Sequence, residues 1–315
     1  MARLAFLGSP EAAVPALRAL TDAGHDVVVV VSQPDRRRGR GAGLAPSPVK
    51  QAALEMGLGV TDRIEDVPGS GAELGVVVAY GRIVPTALLE RTPMLNAHFS
   101  LLPRWRGAAP VERAILAGDQ VTGVSIMRLE ATLDTGPVLV VRREPIDNAG
   151  REHASALTNR LSVVAGELLV EVLSKGVAML GPGTTQVGEA TYAAKVDLQE
   201  LRLDFSRTVA ELERIVRLDR AWTTFRGVRL RVLDAVGHDE PATMHDEPAT
   251  ASEGRDDSSG LTRPEPPPST LRGTSVQAAD GTLELLVVQQ AGRRPQAAGE
   301  WLRGARPLPG ERLGE

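Results

Sequence analysis

Five consecutive valines, residues 27–31, constrain the fold more than any other stretch of the sequence. A β-branched run without polar alternation is typical of a strand buried on both faces, as in a parallel sheet covered by helices. Similar apolar runs predict strands at residues 4–7, 26–32, 74–80 and 94–99. Helical patterns at residues 11–23 and 48–56 separate them. The alternation predicts an α/β domain with a Rossmann-like, doubly wound, mostly parallel sheet.

The second half of the chain changes character near residue 184. Two more strands (122–129 and 138–144) and a long helix (151–175) precede Gly181-Pro182-Gly183, where periodicity is lost. We therefore predict a first domain of residues 1–183, a linker at 184–190 and a second domain of residues 191–315. Helices at 206–218 and 296–303 and short strands at 227–235 and 281–289 predict that the second domain is a smaller OB-like β-barrel.

Composition narrows the classes of protein. The chain has 315 residues, which suits two domains, and it has no cysteine, which excludes disulfides and thiolate zinc sites. Its apolar runs are shorter than the roughly 20 residues of a membrane span. We expect a cytoplasmic protein that contacts no membrane. The net charge of −4 is unevenly distributed.

Residues 237–270 carry much of that negative charge. They contain eight acidic and two basic side chains, a net charge of −6, so the rest of the chain carries +2. The hexapeptide His-Asp-Glu-Pro-Ala-Thr occurs twice, and three prolines follow it. The segment has too few apolar side chains for their burial to offset the entropy that ordering would cost. We therefore predict that it is a disordered, dispensable acidic insertion. A metal-binding or partner-binding tail is the alternative.

Asn96 and His98 are candidate catalytic residues at the end of a predicted strand. Residues two apart on a strand project from the same face, so a carboxamide and an imidazole stand side by side there. In open α/β sheets, ligands bind at this carboxyl edge. The amide can stabilise an oxyanion and the imidazole can move a proton, which suits acyl transfer to an amine. Taken alone, the pair also fits a structural strand histidine.

Asp134 is a third candidate, in the turn Leu133-Asp134-Thr135-Gly136 between two predicted strands. An aspartate in such a turn often caps its own backbone. A partner for the imidazole is the functional alternative.

The connection between the second strand and the next helix, residues 33–50, is much longer than is usual in α/β domains. It holds four arginines interleaved with glycine: Arg36, Arg37, Arg38 and Arg40. Guanidinium groups bind phosphate in a bidentate manner and stack on bases, so the loop can be a nucleic-acid-binding arm. A solvated surface loop is equally compatible with the composition.

The first turn, Gly8-Ser9-Pro10-Glu11, weakens one alternative class. It lacks the G-x-G-x-x-G spacing that brings a backbone close to a pyrophosphate, and Pro10 stands where the second glycine is needed. A nicotinamide dinucleotide site is therefore disfavoured.

Taken together, Asn-x-His-x-Ser-Leu-Leu-Pro (residues 96–103) and the run of residues 100–110, Ser-Leu-Leu-Pro-Arg-Trp-Arg-Gly-Ala-Ala-Pro, resemble the signature of the folate-dependent formyltransferases. The likeness is strongest to members that formylate methionyl initiator tRNA, whose RNA-contacting insertion the arginine loop also resembles. It covers nearly the whole chain apart from the acidic insertion. Phe99 stands where the family usually has a small residue.

The resemblance implies a reaction and roles for its residues. The donor is 10-formyltetrahydrofolate, the acceptor is the α-amine of methionyl initiator tRNA, and no metal takes part. Asn96 donates to the oxyanion, His98 moves a proton, and Asp134 raises the imidazole pKa and orients it. Two further sets are implied: Ser100, Leu101, Leu102 and Pro103 hold the folate, and Arg36, Arg37, Arg38, Arg40 and Lys50 contact tRNA. The second domain also binds tRNA, and we expect a monomer.

Three rivals stay open at this point. A formyltransferase acting on an amino-sugar nucleotide would share Asn96, His98 and Asp134 but should lack the long arginine loop. A dinucleotide dehydrogenase would need the missing glycine pattern. A non-catalytic RNA-binding module would leave the Asn-His-Asp set unexplained.

Overall fold

The computed structural model describes residues 1–37, 43–149, 151–238 and 267–315. Contacts divide it into two compact units, Met1–Val196 and Asp197–Glu315. This division corrects the predicted boundary, because residues 191–195 belong to the first unit. There Tyr192–Ala193 pairs in parallel with Arg106–Gly107, and the Ala193 carbonyl accepts a hydrogen bond from the Ala108 N–H at 2.9 Å. These backbone pairings hold the segment on the first unit, which a reading of periodicity does not reveal.

The first unit alternates strands and helices as the sequence predicts. Its strands are β1 Arg3–Gly8, β2 Asp26–Val31, β3 Arg36–Arg37, β4 Leu44–Ala45, β5 Val60–Thr61, β6 Leu74–Val78, β7 Met94–His98, β8 Arg106–Gly107, β9 Val121–Arg128, β10 Val138–Pro145 and β11 Tyr192–Ala193. Its α-helices are α1 Val14–Asp22, α2 Pro48–Glu55, α3 Thr86–Leu89, α4 Pro110–Ala117 and α5 Ala154–Leu173. Short 3-10 helices cover Glu11–Ala13, Ile64–Gly69 and Val177–Met179.

Seven of these strands form the central sheet, in the order β10-β9-β7-β6-β1-β2-β5. The five neighbouring strands β7, β6, β1, β2 and β5 are parallel. At the β7 edge, β9 pairs antiparallel with β7, and β10 pairs antiparallel with β9. The chain progresses outward from β1 in one direction and then, from β6, in the other. The doubly wound, mostly parallel fold is therefore confirmed, with its topological switch point between β1 and β6.

The valine run forms β2 and is buried within the sheet. Val29 and Val31 join Ala5 and Leu7 of β1 in one apolar cluster, which also includes Ile64 of a 3-10 helix. Alternate residues of a strand face opposite sides of the sheet, so Val30, which is also fully buried, contributes to the other layer. Each fully buried aliphatic side chain contributes roughly 1.5–3 kcal/mol relative to exposure. The two-sided core fixes the sheet from whose edge the site is built.

The second unit contains an antiparallel sheet, as predicted. Its elements are α6 Val209–Val216, β12 Trp222–Phe225, β13 Val228–His238, β14 Leu271–Arg272, β15 Ser275–Gln277, β16 Thr282–Gln290, β17 Gln296–Ala297 and α7 Ala298–Ala305. The strand order is β12-β13-β16-β15-β14, with β17 also paired to β16. Closure of this sheet into a barrel stays a prediction. The predicted helix at 296–303 starts later, at Ala298, because the two residues before it pair with Val287 and Val288.

The edges of the predicted acidic insertion, 237–270, are part of the second unit. Gly237 and His238 end β13 and pair with Leu283 and Thr282, whereas Ser269 and Thr270 are buried. The insertion therefore excludes these flanking residues. Its centre, residues 239–266, lies outside the described residues, so the expected disorder stays a prediction.

Among the helices that the structure describes, none has both the length and the apolar content needed to cross a bilayer.

Close packing between β9 and β10 yields a test of the fold. A Cβ added to Gly123 would lie 2.1 Å from the Arg142 carbonyl oxygen and 2.5 Å from Leu101 Cδ2. We expect Gly123→Ala to force the two strands apart and to cost about 1–3 kcal/mol, the usual range for overpacking. Urea denaturation of the first unit measures the loss.

Gly69→Ala is the matched control, because the corresponding Cβ meets no atom within 4 Å. This change should be neutral or stabilising by up to about 1 kcal/mol. Equal midpoints for the two variants would contradict the proposed close approach.

Candidate active site

The three predicted catalytic residues lie together at the carboxyl end of β7. Asn96 and His98 come from the strand itself, and Asp134 comes from the connection between β9 and β10. Asn96 Nδ2 donates to Asp134 Oδ1 at 3.3 Å, and His98 Nδ1 lies 3.7 Å from Asp134 Oδ2. His98 and Asp134 are buried, whereas Asn96 is half-buried. One carboxylate therefore faces both the amide and the imidazole.

The second nitrogen of His98 determines where the ring carries its proton. His98 Nε2 is 2.8 Å from the Trp105 carbonyl oxygen. A carbonyl oxygen only accepts hydrogen bonds, so Nε2 must be the donor. In the neutral ring, the lone pair is then on Nδ1, on the side of Asp134. A proton taken up at Nδ1 would face a carboxylate.

Residues 100–105 form the turn that presents the Trp105 carbonyl. Ser100 Oγ donates to the Arg104 carbonyl at 2.6 Å, and Ser125 Oγ donates to the Ser100 carbonyl at 2.7 Å. The Leu102–Pro103 bond is cis. Ser100 is completely buried and its side chain closes the turn; the expected contact of residues 100–103 with a ligand stays a prediction. Phe99, which lies between His98 and Ser100, is buried as well.

Asp119 holds the outer side of the same turn. Its carboxylate accepts hydrogen bonds from Arg104 Nε and Nη2 at 2.9 and 2.6 Å, and from Trp105 Nε1 at 2.8 Å. The hydrogen bond to Asp119 raises the pKa of Arg104. Trp105 has a positive φ of 62°, a conformation that costs a non-glycine residue roughly 1–3 kcal/mol. Asp119 thus stabilises the turn whose Trp105 carbonyl accepts the hydrogen bond from His98.

The Asp134 loop is closely packed against β9. Asp134 Oδ2 accepts a hydrogen bond from the Gly107 N–H at 2.8 Å. A Cβ on Gly136 would lie 2.0 Å from the Arg128 carbonyl oxygen, so only glycine allows this approach. Behind the loop, Gln186 Nε2 donates to the carbonyls of Asp134 and Gly136, at 2.9 and 2.8 Å.

The two ends of the arginine loop, β3 and β4, pair with each other as antiparallel strands; we call this element the arginine hairpin. Arg36 pairs with Ala45 and Arg37 with Leu44, and both arginines are exposed. Arg38 and Arg40 lie outside the described residues. Lys50 forms an ion pair with Asp35, with Nζ 2.7 Å from Oδ1, and both side chains are 32% exposed. Lys50 therefore joins the two ends of the loop and is not a free cation there.

The base of the hairpin is anchored at the carboxyl edge of the sheet. Ser32 Oγ lies 2.5 Å from Ser47 Oγ, and Ser47 also caps α2 by accepting from the Lys50 N–H. On the other side, the Gln33 N–H donates to Ser9 Oγ at 3.1 Å. These contacts hold the start of the arginine loop at the edge where β1 and β2 end.

Sequence reasoning missed several groups at this site. The Trp105 carbonyl and the Gly107 N–H are main-chain groups, which carry no side-chain signal. Gln186 lies in the segment that was predicted to be a linker. That segment has no hydrophobic periodicity from which a contact with the site could be predicted. Within the described residues, no group of three or more His, Asp or Glu could hold a metal ion.

The family model described as "Formyl transferase" matches residues 2–173, which include every residue of the Asn-His-Asp cluster. The chain belongs to the formyl transferase family. Its relatives narrow the class: it is 39% identical to the methionyl-tRNA formyltransferase of Ruegeria pomeroyi, over 99% of this chain and 100% of that protein. It is 42% identical to the methionyl-tRNA formyltransferase of Thermus thermophilus, over 99% of each chain.

Solved structures show the same fold at much lower identity. An N-formyltransferase from Helicobacter canadensis, solved in complex with folinic acid and dTDP-3-aminofucose, superposes with a TM-score of 0.63. The alignment covers 92% of this chain and 100% of that one, at 15% identity. A likeness at this identity supports the fold alone and does not select the acceptor.

The Asp119 contacts predict a loss of stability on substitution. Asp119→Ala leaves the Trp105 indole N–H and the Arg104 guanidinium without their acceptor. We expect a cost of about 1–3 kcal/mol, as for hydrogen bonds that involve a charged group. Urea denaturation provides the measurement.

Asp66→Ala is the comparison for an exposed carboxylate. Asp66 accepts from Thr61 Oγ1 at 2.6 Å and lies 3.6 Å from Arg63 Nε, with 43% of its side chain exposed. Its loss should cost less than about 1 kcal/mol. If Asp119→Ala proves no more costly than Asp66→Ala, the described role of Asp119 is wrong.

Proposed function

We propose that the protein transfers the formyl group of 10-formyltetrahydrofolate to the α-amine of methionyl initiator tRNA. The observation that carries the proposal is the cluster of Asn96, His98 and Asp134 at the carboxyl end of β7. The full-length similarity to methionyl-tRNA formyltransferases supports the choice of acceptor.

The reaction begins when the amine nitrogen attacks the formyl carbon. The formyl oxygen becomes a tetrahedral oxyanion, and Asn96 stabilises it. One Asn96 N–H is used by Asp134 Oδ1. An amide has two N–H groups, so the second is available to donate to the oxyanion. When the intermediate collapses, the bond from the formyl carbon to the folate nitrogen breaks and the new amide remains.

Proton transfer accompanies both steps. The neutral amine attacks, so its nitrogen is positively charged in the tetrahedral intermediate and must then lose a proton, whereas the departing folate nitrogen must gain one. His98 can take that proton at Nδ1, because its Nε2 is committed to the Trp105 carbonyl. Asp134 lies 3.7 Å from Nδ1, so it fixes the ring orientation and faces the imidazolium when it forms. Asn96 thus stabilises the oxyanion, whereas His98 and Asp134 together handle the proton.

The folate is the co-substrate of the reaction. The turn that follows β7 carries three partly exposed residues, Leu101, Leu102 and Pro103. They supply an apolar surface beside His98 for the folate. Ser100 contributes by closing the turn from inside.

The arginine hairpin is the proposed tRNA contact. Arg36 and Arg37 are exposed on its paired base, and Arg38 and Arg40 follow in the same run. Lys50 contributes by holding Asp35 and thus the base of the hairpin. We propose that the second unit, Asp197–Glu315, also binds tRNA and that the protein acts as a cytoplasmic monomer.

A sugar N-formyltransferase is the second candidate, because that class is represented among proteins of the same fold. The long arginine hairpin favours tRNA over a sugar nucleotide, because a small acceptor needs no extended cationic arm. Assays with 10-formyltetrahydrofolate and either methionyl initiator tRNA or an amino-sugar nucleotide decide between them. Formylation of the sugar alone would overturn the proposal.

Removal of the imidazole tests the catalytic assignment. We expect His98→Ala to lower kcat by at least about a hundredfold, the usual contribution of a positioned acid–base group. Circular dichroism should show an unchanged fold. His25→Ala is the control: His25 follows α1, outside the cluster, and should leave kcat unchanged. Near-normal kcat in His98→Ala would remove His98 from the mechanism.

Selectivity for the initiator tRNA tests the hairpin. An initiator tRNA differs from other tRNAs chiefly near its acceptor end, where the methionyl group is attached, so an arginine of the loop that contacts this end would discriminate between them. We expect Arg40→Ala to lower kcat/KM for initiator tRNA far more than for elongator methionyl-tRNA, with folate binding unchanged. Phosphate contacts add a salt slope of about −0.9 each on a duplex, so both tRNAs are measured at two salt concentrations.

Arg18→Ala is the matched control, since Arg18 is an exposed arginine of α1 that pairs with Glu55. This variant should change kcat/KM for neither tRNA. If Arg40→Ala lowers kcat/KM equally for both tRNAs, the loop attracts tRNA electrostatically without selecting it. If it lowers kcat/KM for neither, the loop is only a solvated connection.

A further inference from the structure

We propose that Gln186 is a positioning residue that fixes the orientation of Asp134 in the active site. The inference rests on the proposed function, in which Asp134 is catalytic. Gln186 lies in the extended segment that precedes β11, and it binds the Asp134 loop from behind. Its amide nitrogen donates to two carbonyls, of Asp134 at 2.9 Å and of Gly136 at 2.8 Å.

These two bonds hold a strained part of the backbone. Asp134 has a φ of 52°, in the left-handed region, which is unfavourable for a residue that carries a Cβ. Such a conformation persists only where the surroundings hold it in place. On one side, the loop is pressed against the Arg128 carbonyl at Gly136. On the other, Gln186 binds the carbonyls on both sides of Thr135.

The strained backbone sets the direction of the carboxylate. The Asp134 carbonyl is bonded to Gln186, whereas its carboxylate contacts Asn96, His98 and the Gly107 N–H. Its Oδ2 accepts from the Gly107 N–H at 2.8 Å and faces His98 Nδ1 at 3.7 Å. If the carbonyl were released, the peptide could rotate and the carboxylate would turn away from His98 and Asn96.

Arg106 determines which way the Gln186 amide faces. Arg106 Nε and Nη2 lie 3.0 and 2.6 Å from Gln186 Oε1. A guanidinium only donates, so the amide oxygen must face Arg106 and the amide NH2 must face the Asp134 loop. Arg106 is next to Gly107, whose N–H binds the Asp134 carboxylate. Gln186 therefore connects both backbone segments that hold Asp134.

The same contacts exclude a direct role in the reaction. The two N–H groups of Gln186 are both used, and its oxygen accepts two hydrogen bonds, so the amide has no capacity left for a substrate. Gln186 acts through Asp134 and is not a catalytic residue.

Two substitutions separate the functions of the amide. Gln186→Met removes the donors and the acceptor, whereas Gln186→Glu keeps an acceptor for Arg106 and loses both donors. We expect each to lower kcat by about tenfold to a hundredfold, the range for a catalytic group displaced by about 1 Å. KM for folate and tRNA should stay within about twofold, because the hydrogen bonds of the Gln186 amide are all made within the protein. Gln186→Glu also serves as the second variant if Gln186→Met folds poorly.

Arg128→Met is the matched control. Arg128 Nη2 donates to the carbonyls of Leu180 and Gly181, at 3.1 and 2.7 Å, and so ties the same chain segment a few residues earlier without contacting Asp134. This variant should leave kcat unchanged. A loss of kcat equal to that of Gln186→Met would mean that anchoring the segment matters and that the contact with Asp134 does not.

A double-mutant cycle tests whether the effect passes through Asp134. In the Asp134→Asn background, single-turnover rates should fall no further when Gln186→Met is added, because the group that Gln186 positions is already lost. A further loss of the same size as in the parent protein would overturn the inference.

The outcomes also separate this inference from the proposed function. If Asp134→Asn retains normal kcat, the proposed catalytic set is wrong. If Asp134→Asn is impaired while both Gln186 variants have normal kcat, the catalytic set stands and the role of Gln186 is refuted.

Discussion

The cluster of Asn96, His98 and Asp134 depends on the hydrogen bond between the Gly107 N–H and the Asp134 carboxylate. It joins β8, the short strand that follows the turn after β7, to the loop between β9 and β10. The same carboxylate accepts from Asn96 and faces His98, so strand and loops converge on one acidic side chain. A buried carboxylate requires such donors, because an unpaired charge away from water is strongly unfavourable. The demand for satisfied hydrogen bonds thus assembles the site.

Much of the fold could be predicted from the sequence, and the reasons are physical. The valine run could only be a two-sided strand, and Asn96 and His98 share a face because side chains alternate along a strand. Pairings between short backbone segments could not be predicted from the sequence. The strand Tyr192–Ala193 adds only two residues to Arg106–Gly107, too few to leave a periodic signal, so the domain boundary was placed too early.

The site shows the same limit. Side-chain chemistry made Asn96, His98 and Asp134 candidates, and the family resemblance gave them their roles; the structure brings the three together. Their supports are a carbonyl, an N–H group and the Gln186 amide, and none of these has a characteristic sequence spacing. The hydroxyl of Ser100 is completely buried and bonded to the Arg104 carbonyl, a structural role that its place within the motif did not indicate.

The anchored base of the arginine hairpin has a consequence for how such a protein can diversify. Ser32, Ser47, Asp35 and Lys50 tie the two ends of the loop to each other and to the sheet. Length and sequence at the tip are therefore free to drift without disturbing strand register or the catalytic cluster. In the proposed function, this loop contacts the acceptor, so that recognition can change by insertion or substitution between fixed ends while the catalytic geometry stays constrained.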